Sequence, residues 1–288
     1  MNVVWRPNWP FVVVLPIAGM GAVLAYGTLV ERHHLRVRQV AICIAGLPPE
    51  FDGYRIVQLS DFHMGGNGWS ARTAARAVEL ALSQHGDLIV LTGDFVETTP
   101  GVAACAELLA PLHAPDGILA VLGNHDYADC SVRIQALIGA LQDVGATVLR
   151  NGSHVVRRNG VELWFVGVDD AYSGHDFLPK AIEGVPHGAR PIVLSHYPDF
   201  AKRLGPGRWA LVISGHTHGS QVRLPILGRL LRERIAKTRF SGGMYRVNRI
   251  PLFITTGVGT SGRPLRLLAR PEVVAITLHA APAPVATK

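Results

Sequence analysis

Cysteine is scarce in this chain, and its three copies, Cys43, Cys105 and Cys130, stand at no metal-ligand spacing. An odd number without paired spacings argues against a disulfide framework, a Cys-zinc site and an iron–sulfur site. The three read as reduced thiols of the core, a usage that suits a reducing compartment. Aromatic residues are also few, at 7%. They do not interleave with the cations, so the basic pI of about 9.7, which would suit the rival class of a non-catalytic nucleic-acid-binding or scaffold protein, comes without a stacking platform, and no nucleic-acid partner is expected. Repeats and low-complexity tracts are absent. What remains is a 288-residue chain, 48% hydrophobic, long enough for one large domain and an appendage.

Charge is missing altogether from residues 7 to 30, and Phe11 to Val30 is a nearly continuous apolar run of twenty residues. As a helix it would just cross a bilayer core of roughly 30 Å. Trp5, Trp9 and Tyr26 fit interfacial anchors, and Pro16 with three glycines is tolerated in such helices. A cleaved signal peptide, with Val23 and Ala25 as the small residues before a cut, is the rival reading, although Arg6 alone makes a thin positive n-region. A buried helix of a soluble protein is the plain alternative. Arg32, Arg36 and Arg38 after the run outnumber Arg6 and the amino terminus before it. That asymmetry predicts a single-pass anchor in the inner (cytoplasmic) membrane with the large C-terminal part in the cytoplasm.

The net charge of +7 is local. Eight of the 28 Lys and Arg residues but one of the 21 acids fall between Arg223 and Arg249, so that window carries the whole excess. There Pro225, Ile226, Leu227, Leu230 and Leu231 alternate with Arg229, Arg232, Arg234, Lys237 and Arg239, a pattern suited to an anionic membrane surface, or to a solvated loop that binds a substrate's phosphates.

After a lead-in strand, Val37 to Ile44, strand-like runs alternate with helices. Arg55 to Ser60 runs into Asp61-Phe62-His63, and Asp87 to Thr92 into Gly93-Asp94. Ile118 to Leu122 leads to Gly123-Asn124-His125-Asp126, Pro191 to Ser195 to His196, and Leu211 to Ser214 to Gly215-His216-Thr217-His218. Ser70 and Ser131 each cap a helix, and a third covers about Val102 to Leu112. The second half adds strands over 147–149, 154–157, 162–168, 252–256 and 273–278. This predicts an α/β fold of two packed mixed sheets with helices outside.

Ligands of open α/β sheets bind outside the carboxyl ends of the strands, where five of these runs deliver polar groups. The set comprises Asp61, Asp94, Asn124 and the imidazoles of His63, His125, His196, His216 and His218. Seven of the eight make two adjacent sites if one carboxylate bridges. Nitrogen and oxygen donors without thiolate suit Mn, Fe or Zn. Two such ions roughly 3.5–4 Å apart activate water and neutralise a phosphoryl group during an in-line displacement.

In this order the motifs resemble the calcineurin-like metallophosphoesterase superfamily. The strings Ser60 to Gly65, Leu194 to Pro198 and Gly215 to Pro225 are similar to its membrane-anchored bacterial branch. The resemblance covers about residues 54 to 279 and implies a four-layer αββα sandwich preceded by one transmembrane helix. The organisation is then 1–34 as membrane anchor, 35–279 as metallophosphoesterase domain and 280–288 as disordered tail. It implies two divalent metal ions, one on Asp61, His63, Asp94 and His218, the other on Asp94, Asn124, His196 and His216. His125 is then no ligand but donates to a phosphoryl or leaving oxygen, with Asp126 as its orienting partner. The implied activity is hydrolysis of a phosphodiester or pyrophosphate bond in a phosphorylated, lipid-linked substrate. Some anchored relatives are linked to UDP-2,3-diacylglucosamine hydrolysis in lipid A assembly; a general phosphodiesterase on nucleotides or cell-envelope polymers is the enzymatic alternative. The oligomeric state is not encoded in the motifs.

Overall fold

The computed structural model describes residues 9–127, 131–223 and 237–281, with side chains from residue 17 on in the first stretch and from 133 on in the second. Trp5 and Arg6, Cys130, part of the basic window (224–236, with Arg229, Arg232 and Arg234) and most of the C-terminal tail (282–288) lie outside the described residues.

Helix α1 (Trp9–Leu29) precedes strand β1 (Arg36–Ile44). The order continues β2 (Arg55–Leu59), α2 (Ala71–Leu82), β3 (Leu88–Thr92), α3 (Gly101–Leu109), β4 (Ile118–Val121), α4 (Ser131–Asp143) and β5 (Ala146–Val148). Then come β6 (Gly152–Arg158), β7 (Val161–Gly167), the single turn α5 (Leu178–Ala181), β8 (Ile192–Leu194), β9 (Leu211–Ser214), β10 (Gly243–Val247), β11 (Ile250–Ile254) and β12 (Glu272–Ala280). The Ser70 side chain caps α2 by accepting the Thr73 N–H, which satisfies one of the helix's orphan donors.

Two six-stranded mixed sheets form, in the orders β1-β12-β2-β3-β4-β5 and β10-β11-β9-β8-β7-β6. Strands β2, β3, β4 and β5 run parallel, as do β7, β8, β9 and β11; β12 pairs antiparallel with β2, β6 with β7, and β10 with β11. The parallel strands are buried on both faces, which is why β3, β4, β8 and β9 read as apolar runs and β2 as one interrupted only by the buried Gln58. One apolar cluster joins α2, α3 and α4 to the first sheet through Ala77, Val78, Leu109, Leu137 and Leu141. A second lies between the sheets, with Ile56, Val90, Phe165, Ile213 and Phe253. The third covers the far face of the second sheet, where a 3₁₀ turn (Pro198–Arg203), α5 and loops do the covering and no long helix is present among the described residues.

Strand β10 is missed by the sequence pattern, because Gly243, Tyr245 and Arg246 sit on an edge strand with only Gly243 buried. Cys105 is a core thiol, but Cys43 is exposed on β1, a correction to its reading as a core residue. Among the described residues no helix is long and apolar enough to cross a membrane. The side chains of α1 are described only from Ile17, and those of Ile17, Met20, Val23, Leu24, Tyr26 and Leu29 are exposed.

Candidate metal centre

Five parallel strands, β2, β3 and β4 of one sheet and β8 and β9 of the other, aim their carboxyl ends at one point between the sheets. Gln58 ties the two halves, donating from Nε2 to Ser214 O of β9 at 3.0 Å and to Thr92 Oγ1 of β3 at 2.8 Å. From those ends the chain turns at once. Asp61, His63, Asp94, His216 and His218 all have φ between 48° and 71°, the left-handed region that costs a side-chain-bearing residue about 1–3 kcal/mol. Five strained residues in one cluster are maintained because the hydrogen bonds around them over-determine the turns: the Asp61 N–H donates to Gly93 O, His63 N–H to Asp94 O and His216 N–H to Asp61 Oδ1. Gly93 stands where a Cβ would lie 2.7 Å from the Gly123 nitrogen and 2.8 Å from His196 Nδ1, so two strand ends meet there without a side chain between them.

The structure brings the sequence-predicted residues together in two sets. In one, the Nε2 atoms of His63 and His218 face each other at 2.9 Å, with Asp94 Oδ2 3.5 Å from the first and Asp61 Oδ1 3.4 Å from the second. In the other, His196 Nε2 lies 3.1 Å from Asp94 Oδ2 and 3.3 Å from His216 Nδ1, which is 3.0 Å from Asn124 Oδ1. Asp94 belongs to both. Asp61, His63, Asp94 and His196 are buried to within about one percent.

Charge is tightly coupled here. Burial and the neighbouring His63 push the His218 imidazole well below its ordinary value, so it stays neutral with a lone pair available. Burial also opposes an ionised Asp94, but the His196 contact outweighs it and holds the carboxyl down. His196 rises to about 10 because Asp94 and Asp61 overcome the effect of its burial.

Two imidazole nitrogens facing each other between carboxylates at near hydrogen-bonding distance suit a cation better than one another. His218 Nδ1 has no hydrogen-bond partner among the described residues. The donor set is all nitrogen and oxygen, and one atom each of Asp61, His63, Asp94 and His218, and of Asp94, His196 and His216, lie within 4.8 Å of one another. The residues fit a pair of divalent metal ions.

Asp126 is placed differently from the sequence expectation. Its carboxylate accepts the backbone N–H groups of Asp94, Phe95, Val96 and Gly123, so it pins the Asp94 loop to the Asn124 loop and does not face the His125 ring. Burial and Asp94 raise it to about 7 against the pull of those donors. The carboxylate that faces His125 is Glu97, with Oε2 3.0 Å from His125 Nδ1 and Oε1 2.6 Å from His63 Nδ1. Its burial is outweighed by the two imidazole hydrogen bonds, which hold it down at about 2. His125 is lifted to about 9 because the Glu97 bond and Asp94 overcome desolvation. With Nδ1 taken, His125 Nε2 is left to face Ser261 Oγ at 3.5 Å.

Arg266 is another residue the motifs do not reveal. Fully buried, it donates to the carbonyls of Thr256, Gly257, Gly259 and Ala269, which shapes the loop behind Asp61 and His218. Asp169 and Asp170 do not join the metal cluster: Asp169 binds Tyr127 and Arg150, and Asp170 closes a turn on the Tyr172 and Ser173 N–H groups. In front of the cluster lies a cavity of about 650 Å³ lined by Asn124, His125, Tyr172, Val222, Arg263 and Leu265 among others.

The family model for calcineurin-like phosphoesterases matches residues 54–220, from the start of β2 through the last histidine motif. The chain belongs to this family. It is 30% identical over 263 residues to the uncharacterized metallophosphoesterase YkuE of Bacillus subtilis, covering 90% of each chain. It is 30% identical over 227 residues to the phosphodiesterase YaeI of Escherichia coli, covering 78% of this chain and 82% of that one. A transmembrane protein with metallophosphoesterase domain from Danio rerio is 32% identical over 276 residues, which cover 90% of this chain and 61% of the relative. As a calcineurin-like metallophosphoesterase, the chain is a hydrolase of phosphoester bonds.

Proposed function

We propose that this metallophosphoesterase is membrane-anchored and uses a binuclear centre to hydrolyse a phosphodiester or pyrophosphate bond in a lipid-linked substrate. The observation that carries the binuclear reading is Asp94, whose Oδ2 stands 3.1 Å from His196 Nε2 and 3.5 Å from His63 Nε2, between the two donor sets. On this reading Asp61, His63, Asp94 and His218 hold one ion and Asp94, Asn124, His196 and His216 the other. Bound there, two divalent cations of the Mn, Fe or Zn type supply Lewis-acid neutralisation of phosphoryl oxygens and activation of water. The chain's residues do the rest. His125 presents Nε2 to the cavity and gives the proton on that nitrogen to the leaving oxygen, Glu97 holds Nδ1–H and favours the charged ring so that Nε2 carries a proton to give, and Asp126 fixes the two loops that carry Asp94 and Asn124.

The uncharged apolar run of residues 7–30, the exposure of α1 from Ile17 to Tyr26 and the membrane name of the zebrafish relative support the anchor. Residues 1–34 act as the anchor and 35–279 as the hydrolase domain, with the inner membrane as location and the cytoplasm as the side of the domain. A cavity far larger than a phosphoryl group supports a substrate with a bulky second group, of which a UDP-diacylated sugar is one. The phosphodiesterase name of the Escherichia coli relative favours a second reading, a general phosphodiesterase on nucleotides or cell-envelope polymers.

The test is a mass-spectrometric screen of the detergent-solubilised full chain with Mn²⁺ against UDP-diacylglucosamine, cyclic nucleotides and phosphomonoesters. Asp94→Ala should abolish turnover and lower bound metal from two ions, whereas Asn124→Ala should weaken one. Turnover by Asp94→Ala at the wild-type rate, or undiminished after exhaustive chelation, overturns the binuclear reading.

A further inference from the structure

The direction in which α1 leaves the domain is fixed by bonds rather than by a free linker. Gly27 O accepts the Arg266 N–H at 3.2 Å, Glu31 Oε1 accepts the Ala269 N–H at 2.8 Å, and His34 O accepts Arg270 Nε at 3.0 Å. A Cβ at Gly27 would lie 2.5 Å from Leu265 Cδ1, so the helix end and this segment touch without a gap. The segment strapped to the helix is also a wall of the metal cavity, because Arg263 and Leu265 line it.

Around that junction the surface is apolar with a cationic border. Leu268, at φ 56°, is turned outward and 63% exposed, while Leu29 and Val30 at the end of α1 are 70% and 49% exposed. Arg32, Arg263 and Arg270 stand in the same stretches of chain. Farther along α1, Ile17, Met20, Val23, Leu24 and Tyr26 are exposed as well. Every residue from 17 to 26 is exposed and none is charged, so at 100° per residue the helix presents uncharged surface on all sides, whereas a second protein chain would cover one stripe. A lipid phase surrounds a helix on all sides, and guanidinium groups at its end complement anionic headgroups.

We infer that the domain meets an anionic phospholipid bilayer through the edge formed by Leu29, Val30 and Arg263–Arg270, so that the metal cavity opens at the membrane interface. This rests on the anchored reading above and adds to it a face and a route. A phosphoester held in the headgroup layer reaches the cavity past Leu265 and Arg263 without leaving the surface, whereas a substrate from bulk solvent would have to enter from the side.

The experiment uses the full chain in nanodiscs of phosphatidylcholine and phosphatidylglycerol, with Cys43 and Cys130 changed to Ser. A fluorophore is attached through Leu268→Cys or, in a second variant, Arg263→Cys, and quenching by headgroup and shallow-chain spin-labelled lipids is measured. Arg157→Cys is the reference, exposed at the β6–β7 hairpin, which lies at the amino-terminal end of β7 and so opposite the cavity. Quenching at residues 263 and 268 should exceed that at 157 by roughly threefold or more, as expected for groups within the interfacial layer. Equal quenching at all three positions in protein that co-migrates with the discs overturns the proposed face while leaving the anchor intact. A label at residue 268 shielded equally with and without spin-labelled lipid, in protein that cross-links as a dimer, overturns it in favour of a second copy. A chain that does not enter the discs at all overturns the anchored reading itself.

Discussion

Glu97 links the two histidines that differ in their proposed roles, His63 in the metal cluster and His125 at the cavity wall, through one carboxylate with an oxygen on each ring. Replacing it by Gln keeps a hydrogen-bond acceptor but removes the negative charge that holds a proton on His125. His125 then loses its proton more readily, and the alkaline limb of kcat/KM is expected to move to lower pH by about one pH unit or more. Glu97→Ala also frees the His63 ring, with an expected loss of roughly 10–100-fold in metal affinity, read by titration of the metal-free protein. An unchanged pH–rate profile in Glu97→Gln would show that His125 owes its proton to something else. His125→Ala is expected to keep its metal content while kcat falls by roughly 10²–10⁴. Elemental analysis checks the first half of that statement, since metal loss in this variant would make His125 a ligand.

The loops at the strand ends are set by close approach. A Cβ at Gly123 would lie 2.6 Å from the Asp94 nitrogen and 2.9 Å from its carboxyl carbon, with Asp94 Oδ1 closer still. Gly123→Ala must therefore shift the Asp94 carboxylate, with overpacking of about 1–3 kcal/mol and a marked fall in bound metal. Isothermal titration with Mn²⁺ checks it, and wild-type affinity would mean that the loop yields elsewhere. The candidate ligands themselves are legible in sequence because each follows a mainly apolar run, broken only by Gln58 before Asp61, and buried parallel strands leave that mark plainly. Asp126 looks like a catalytic partner because it neighbours His125, yet a 3₁₀ turn over His125–Tyr127 sends its carboxylate back onto four backbone N–H groups. Glu97 carries no mark of its own, since an acid three residues after Asp94 is indistinguishable in sequence from a solvated loop residue. Arg266 is hidden for a similar reason: the loop it organises has no apolar period, and a fully buried guanidinium bonded to carbonyls looks, in sequence, like one more cation.

At the scale of the whole molecule, hydrogen bonds cross the boundary between the proposed anchor and the hydrolase domain. The end of the apolar run at Val30 and the first charges after it suggest a cut near residue 34. In the folded chain, however, Glu31 is only 3% exposed and its Oε1 accepts the Ala269 N–H, while Gly27 and His34 bond to Arg266 and Arg270. These contacts join residues 27–34 to the hydrolase domain. Removing residues 1–34 leaves the Ala269 N–H buried without its charged acceptor, a loss of about 1.5–3 kcal/mol. For a domain of this size that corresponds to a fall in Tm of roughly 3–10 °C. Removing residues 1–26 keeps all three bonds, and Tm is expected to stay within about 2 °C of the full chain in detergent, because surface changes away from such contacts have small effects. Differential scanning calorimetry of the two truncated proteins, with equal Mn²⁺ in both cells, decides the matter. Equal Tm values would mean that Glu31 and its neighbours are spectators and that the domain begins at β1; a gap of several degrees would make the last turn of the helix part of the hydrolase.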